Sequence, residues 1–276
     1  MPRFRYVVAD VFTDAPLQGN QVAVFTDARD IPEERLQQLA REINYSETTF
    51  VYPPEADGNV RMRIFTPATE LPFAGHPTLG TAFVLAGPLQ LIEIKLETGM
   101  GTIPVQLERE GARISFGRMQ QPPPSVEPFA QAGELLAALG ADESLLPVEA
   151  YDNGVPHVYV RLASREQVAA LQPDLGALDQ LGRYGINCFA GDGASWKTRM
   201  FGPALGVAED PATGSAAGPL ALHLARHGVV PFGTEIEIVQ GEEILRRSVL
   251  YATAHDEQRI EVGGSAVIVA RGEFQF

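Results

Sequence analysis

A short pattern in the chain occurs twice. Arg63-Ile64-Phe65-Thr66-Pro67 returns as Arg199-Met200-Phe201-Gly202-Pro203, 136 residues further on. After each copy comes a turn of small residues and then an apolar helix pattern, entered through Ala74-Gly75-His76-Pro77 in one case and Thr213-Gly214-Ser215-Ala216 in the other. Before each copy lies a Gly-led strand pattern, Gly19-Asn20-Gln21-Val22-Ala23-Val24 and Gly154-Val155-Pro156-His157-Val158-Tyr159. Two such matches could be chance, but four in the same order at comparable separations argue for a duplicated structural unit. The 276 residues fit that reading, since a chain this long is expected to divide into two domains of roughly 100 to 150 residues. Between the copies, Pro122-Pro123-Pro124 can continue neither a helix nor a central strand, so the halves are set at 1–118 and 119–276. Whether the C-terminal strand, 266–270, returns to the first half's sheet stays open.

The strand signals alternate. Residues 61–65, 92–96, 105–108 and 113–116 each place apolar side chains on one face, as in antiparallel sheets with one solvated side. Residues 32–43 read as an amphipathic helix with Leu36, Leu39, Ala40 and Ile43 on one stripe. Two further helices, Pro77–Ala86 stopped by Gly87 and Ser215–His227 stopped by Gly228, are apolar nearly all round and are expected to be buried at the centre of each half. The fold class is therefore α+β, with two similar halves.

Composition narrows the function. A net charge of −14 and a pI near 4.8 oppose non-specific binding to nucleic acid or an anionic membrane. No window offers the roughly 18 unbroken apolar residues of a membrane helix, and Met1–Asp10 carries Arg3, Arg5 and Asp10 where a signal peptide needs a continuous apolar core. One cysteine, Cys188, excludes both an intramolecular disulfide framework and a mechanism using two thiols of one chain; a reducing, cytoplasmic setting is expected.

Chemistry is expected where the buried helices begin. Unpaired backbone N–H groups and the positive dipole end favour an anion there, and Gly75 and Gly214 allow it to approach closely; one such junction alone would be read as strand-to-helix packing, and the two matching ones favour a site. Glu47, in Asn44-Tyr45-Ser46-Glu47-Thr48-Thr49-Phe50, falls at a loop-to-strand transition, where catalytic groups are commonly presented, although its local context alone favours a solvated surface glutamate. Asp210, in Glu209-Asp210-Pro211-Ala212-Thr213-Gly214-Ser215, could simply cap a helix.

Taken together, Asp10-Val11-Phe12-Thr13 with Gly19-Asn20, the Ser46-Glu47-Thr48 turn, Arg63–Pro67 running into Glu70-Leu71-Pro72-Phe73-Ala74-Gly75-His76-Pro77-Thr78, Glu209–Ala216, and Gln240-Gly241 with Arg247-Ser248 resemble the phenazine-biosynthesis PhzF-like family over nearly the whole chain. The resemblance implies a diaminopimelate epimerase-like fold: two pseudo-symmetric domains, each a curved, barrel-like, mostly antiparallel sheet around a central helix, in a homodimer. It implies an isomerase without metal or redox cofactor, acting on a small carboxylate-bearing substrate, in the phenazine enzyme a dihydro-hydroxyanthranilate. Glu47 matches the general acid/base, and Ser46, His76, Asp210 and Ser215 match residues lining the substrate. Gly75 and Gly214 match backbone donors to its carboxylate. Gln21 departs from the family's proline after Gly-Asn. Related racemases place a cysteine at each turn, where this chain has Ala74 and Thr213, so a one-base shuttle remains. For such a shuttle, burial beside Phe50 and Tyr45 is expected to raise the Glu47 carboxyl from about 4.3 toward neutrality. A lyase using the same proton abstraction, or a binding protein on the same fold, stays open.

Other signals point elsewhere. His223 and His227 stand four apart on one helix face, as zinc ligands would, but the sequence offers no third ligand. Gly191–Thr198 approximates a phosphate loop only until Trp196. His157 and His255 read as packed or surface histidines.

Overall fold

The computed structural model describes all of residues 1–276. Its backbone contacts divide the chain into two units, Met1–Gln120 with Gly263–Phe276, and Gln121–Val262. The first runs β1 (Arg3–Val11), β2 (Asn20–Phe25), α1 (Glu33–Ile43), β3 (Glu47–Tyr52), β4 (Val60–Phe65), β5 (Glu70–Leu71), α2 (Gly75–Leu89), β6 (Glu93–Thr98), β7 (Gly101–Glu110) and β8 (Arg113–Gln121). The second runs β9 (Ser125–Pro128), α3 (Ala132–Leu139), β10 (Glu149–Asp152), β11 (Pro156–Arg161), α4 (Arg165–Ala170), α5 (Leu175–Gln180), β12 (Gly185–Asp192), β13 (Ser195–Gly202), β14 (Val207–Asp210), α6 (Gly214–Arg226), β15 (Glu235–Gln240), β16 (Ser248–Ala254) and β17 (Ile260–Gly264). The last strand, β18 (Ala266–Gln275), pairs antiparallel with β1 of the first unit, from Val11↔Ala266 to Arg3↔Gln275.

The duplication is written in the strand pairing. In the first unit β1–β2 is antiparallel, β2–β3 parallel, β3–β4 and β4–β5 antiparallel, β4–β6 parallel and β6–β7 antiparallel. The second unit repeats each step with the same sense, from β10–β11 through the parallel pairs β11–β12 and β13–β15 to β15–β16. The repeated pentapeptides occupy the ends of matching strands, β4 and β13.

Each unit has a buried helix with no polar face. Eleven of the 15 residues of α2 and 12 of the 13 of α6 are buried, as their nearly uninterrupted apolar composition requires. The α2 helix does not stop at Gly87 as its sequence suggests. It continues to Leu89, because Pro88 falls in the last turn, where its missing N–H forfeits one bond, and Gln90 takes the left-handed cap at φ 53°. The α6 helix ends where expected, with Gly228 at φ 69° and the Val229 N–H bonded to the Leu224 carbonyl at 2.9 Å.

On the other side of the first sheet, α1 lays Leu36, Leu39 and Ala40 against Phe25, Phe50 and Phe65; the rings of Phe25 and Phe50 stack at 4.9 Å. Its counterpart in the second unit is made from α3, α4 and α5, which bury Leu135, Leu139, Val168 and Leu178 against Val158, Val160, Cys188 and Phe201. No helix is long and apolar enough to cross a membrane.

Candidate active site

Glu47 is the first residue of β3, in register with Val22 of β2, so strand pairing fixes its backbone while the loop before it leaves its side chain 15 % exposed. His76, the second residue of α2, is buried beneath it, with Nε2 3.3 Å from Glu47 Oε2. A chain of contacts sets the tautomer of that imidazole. Ser46 Oγ donates to Asn20 Oδ1 at 3.1 Å, which turns the Asn20 amide nitrogen toward His76 Nδ1 at 3.4 Å. With Nδ1 accepting, the ring proton is on Nε2, where the Gln21 carbonyl at 3.2 Å can only accept it. Desolvation pushes the His76 pKa down to about 3, against the smaller opposing effect of the Gln21 carbonyl, so the ring is neutral near pH 7. The one Nε2–H is given to the Gln21 carbonyl, so the approach of Glu47 Oε2 is a contact with a neutral ring and neither an ion pair nor a hydrogen bond between the two.

In the second unit the residues ahead of α6 form a clamped turn. Thr213 Oγ donates to Asp210 Oδ2 at 2.6 Å. Gln240, at the end of β15, accepts from the Thr213 N–H at 3.1 Å and donates to the Asp210 carbonyl at 2.8 Å and to the Thr213 hydroxyl at 2.9 Å. Gly214 and Ser215 open the helix, and Ser215 Oγ lies 2.9 Å from His157 Nε2.

The site residues expected from sequence thus fall into two groups, Ser46, Glu47, Gly75 and His76 in the first unit and Asp210, Gly214 and Ser215 in the second. Each group surrounds the first turn of a buried helix. Neither Ala74 nor Thr213, the residues before those helices, caps the helix with its side chain. Both starts accordingly present backbone N–H groups suited to an anion. Sequence reasoning missed Asn20, Gln240 and the pairing of His157 with Ser215. The first two lay inside the quoted Gly-Asn and Gln-Gly motifs, and no sequence signal marked the third. Cys188 is fully buried in β12, where desolvation holds its thiol protonated.

One cluster that the sequence left incomplete is closed by the fold. Glu149 Oε2 lies 2.9 Å from His227 Nε2 and 3.3 Å from His223 Nδ1, and accepts from Tyr151 Oη at 2.9 Å. This supplies the third group that the His223–His227 pair lacked. The carboxylate is engaged by these donors, and His223 Nε2 is buried without the acceptor that a metal-bound imidazole ordinarily needs. The cluster is a hydrogen-bonded anchor between β10 and the end of α6.

A twice-built α+β unit, with polar groups gathered at the first turn of each central helix, defines the diaminopimelate epimerase-like class of enzymes. A hydroxyproline epimerase from Agrobacterium vitis shares the fold at a TM-score of 0.66, with 12 % identity, over 99 % of this chain and 91 % of that one. The chain belongs to the phenazine biosynthesis-like protein family, whose model matches residues 9–272. It is an isomerase. The trans-2,3-dihydro-3-hydroxyanthranilate isomerase of Pseudomonas aeruginosa is 52 % identical to it over 272 residues, 97 % of this chain and 98 % of that protein. A Bacillus anthracis phenazine biosynthesis protein of the PhzF family superposes with a TM-score of 0.87 at 27 % identity, over 100 % of both chains.

Proposed function

We propose that this chain isomerises trans-2,3-dihydro-3-hydroxyanthranilate, or a close cyclic amino acid, by moving one proton on the ring. Glu47 takes the proton from one carbon as a carboxylate and returns it to another as the carboxylic acid, so the composition of the substrate is unchanged. The observation that carries this reading is the 52 % identity, over almost the full length of both chains, to an isomerase of that substrate. The buried neutral ring of His76 3.3 Å from Glu47 supports the role: an uncharged neighbour whose pKa is pushed down to about 3 does not compete with the carboxyl for the proton. Ser46, Gly75, His76, Asp210, Gly214 and Ser215 are assigned to substrate binding, the two glycines through backbone N–H groups directed at its carboxylate. The protein works in the cytoplasm as a homodimer, a reading that rests on the family resemblance and, for the compartment, on the single buried cysteine.

The test is direct incubation of the purified protein with trans-2,3-dihydro-3-hydroxyanthranilate. Catalysed formation of an isomeric product of unchanged mass is expected, and Gly214→Val is expected to raise KM by obstructing the carboxylate. Failure to turn over that compound while isomerising another cyclic amino acid would move the substrate assignment. Light scattering of the eluted protein at twice the chain mass is expected for the dimer.

A further inference from the structure

The two repeats treat equivalent positions differently. Glu47 pairs with Val22 at the start of β3, and Gly185 pairs with His157 at the start of β12. A side chain is absent at Gly185 because the imidazole of His157 fills the space: a Cβ there would lie 2.5 Å from His157 Nδ1. His76 follows the glycine that opens α2, and Ser215 follows the glycine that opens α6. Where the first unit sets a carboxyl against His76, the second sets His157 against Ser215.

The surroundings of His157 determine which nitrogen carries its proton. Asn187 Nδ2 donates to the Gly185 carbonyl at 3.0 Å, which fixes that amide with its NH2 group toward His157 Nδ1 at 3.4 Å. With Nδ1 accepting, Nε2 is the N–H, directed at Ser215 Oγ 2.9 Å away. The backbone of the same turn is held separately. Pro219 cannot donate to the Ser215 carbonyl, and Asn153 Nδ2 takes that place at 3.0 Å, while Tyr159 Oη donates to the Ala216 carbonyl at 2.7 Å. The main chain at Ser215 is therefore set by Asn153 and Tyr159, and the hydroxyl rotor is left for His157 to set.

We infer that His157 is a positioning residue: its Nε2–H occupies a lone pair of Ser215 Oγ, so that the Ser215 hydroxyl hydrogen is presented to the substrate as a donor. This rests on the assignment of Ser215 to substrate binding. Burial pushes the His157 pKa down to about 3, against the smaller opposing effect of the Gly185 carbonyl, so the ring remains neutral at working pH. The second unit is thereby built to bind and orient rather than to move protons.

Steady-state kinetics of His157→Asn, His157→Gln, Ser215→Ala and the His157→Asn/Ser215→Ala double variant test this, with circular dichroism to verify folding. Asn reaches only the position of Nδ1, whereas Gln carries an N–H near the position of Nε2. Expected are a KM about tenfold higher with kcat little changed for His157→Asn and for Ser215→Ala, recovery in His157→Gln, and no further loss in the double variant. Gly185→Ala, which displaces the ring without removing either polar group, is expected to raise KM in the same way. A silent Ser215→Ala sinks the assignment of Ser215, and this inference with it. A costly Ser215→Ala combined with an additive double variant, or a Gln variant as impaired as Asn, overturns the inference alone. So does nitrogen NMR that finds the His157 proton on Nδ1.

Discussion

Glu47 and Gly185 occupy one position in the two repeats, each opening the strand that runs parallel to its neighbour, and only the first bears a carboxyl group. The duplicated scaffold is thus symmetric in its strand pairing and asymmetric in its chemistry. A single acid/base on one repeat can move a proton between two atoms of one substrate, whereas a racemase with one thiol per half removes and delivers from opposite sides. The buried thiol of Cys188 lies in β12 rather than at either helix start, so it takes no part.

Three buried histidines should make the fold acid-sensitive. The pKa values of His76 and His157 are lowered by desolvation to about 3, and that of His223 to about 4. Each binds its proton more weakly in the native state than in the unfolded chain, where the value is near 6.5. Their stabilising contribution is complete above that unfolded value and is lost as pH falls toward 4 and 3. The slope should approach about 1.4 kcal/mol per pH unit for each histidine. Denaturant melts of His157→Gln between pH 7 and 4 should be flatter than wild type, and an unchanged slope would remove His157 from the set.

The ion pairs should differ widely in worth. Arg199 and Glu209 meet at 2.7 Å with side chains only 9 % and 12 % exposed, and Arg199 also donates to the carbonyls of Val168, Ala169 and Leu171. Arg199→Met strands a nearly buried carboxylate and leaves three carbonyls with one donor fewer, and should destabilise by about 3–5 kcal/mol. Arg3–Glu273, with Arg3 66 % exposed, should register under about 0.5 kcal/mol on Arg3→Ala. Urea midpoints of the two variants separate the cases.

Gln240 should be needed for the shape of the second site. It makes three hydrogen bonds that close the turn from Asp210 to Thr213, and its neighbour Gly241, at φ 78°, leaves no room for a Cβ, which would meet the Pro211 carbonyl at 2.6 Å. Gln240→Ala should lower stability by about 2–4 kcal/mol and raise KM more than it lowers kcat. A variant that melts normally and binds normally would show that the turn holds itself.

Much of this was legible because the repeat carried it. The pentapeptides locate β4 and β13, and the two apolar runs locate α2 and α6, since a helix with no polar face has to be central. The helices α4 and α5 escaped because they are six residues each, too short to show periodicity. Their starts, Ser164 and Asp174, are capped by side chains accepting from Gln167 and Ala177, a signal present in the sequence but shared with many turns. The site was legible as residues and not as geometry. Glu47 and His76 are 29 positions apart, and only the parallel pairing of β3 with β2, with α2 packed on both strands, brings them to 3.3 Å. From sequence His157 reads as a packed or surface histidine; it is buried, and its bond to Ser215 has no signal there.

The most direct measurement is proton exchange by Glu47→Gln in deuterium oxide. The glutamine keeps the size of the side chain and its place beside the His76 ring, but it has no carboxyl proton to exchange. With trans-2,3-dihydro-3-hydroxyanthranilate the wild-type enzyme should turn over and incorporate solvent deuterium at the ring carbon that receives the proton. The variant should fold and bind with little change, while turnover falls by about 10⁴-fold or more and label incorporation ceases. A Glu47→Gln enzyme that retains near-normal turnover and labelling would contradict the assignment of Glu47 and turn the search for the base to Asp210.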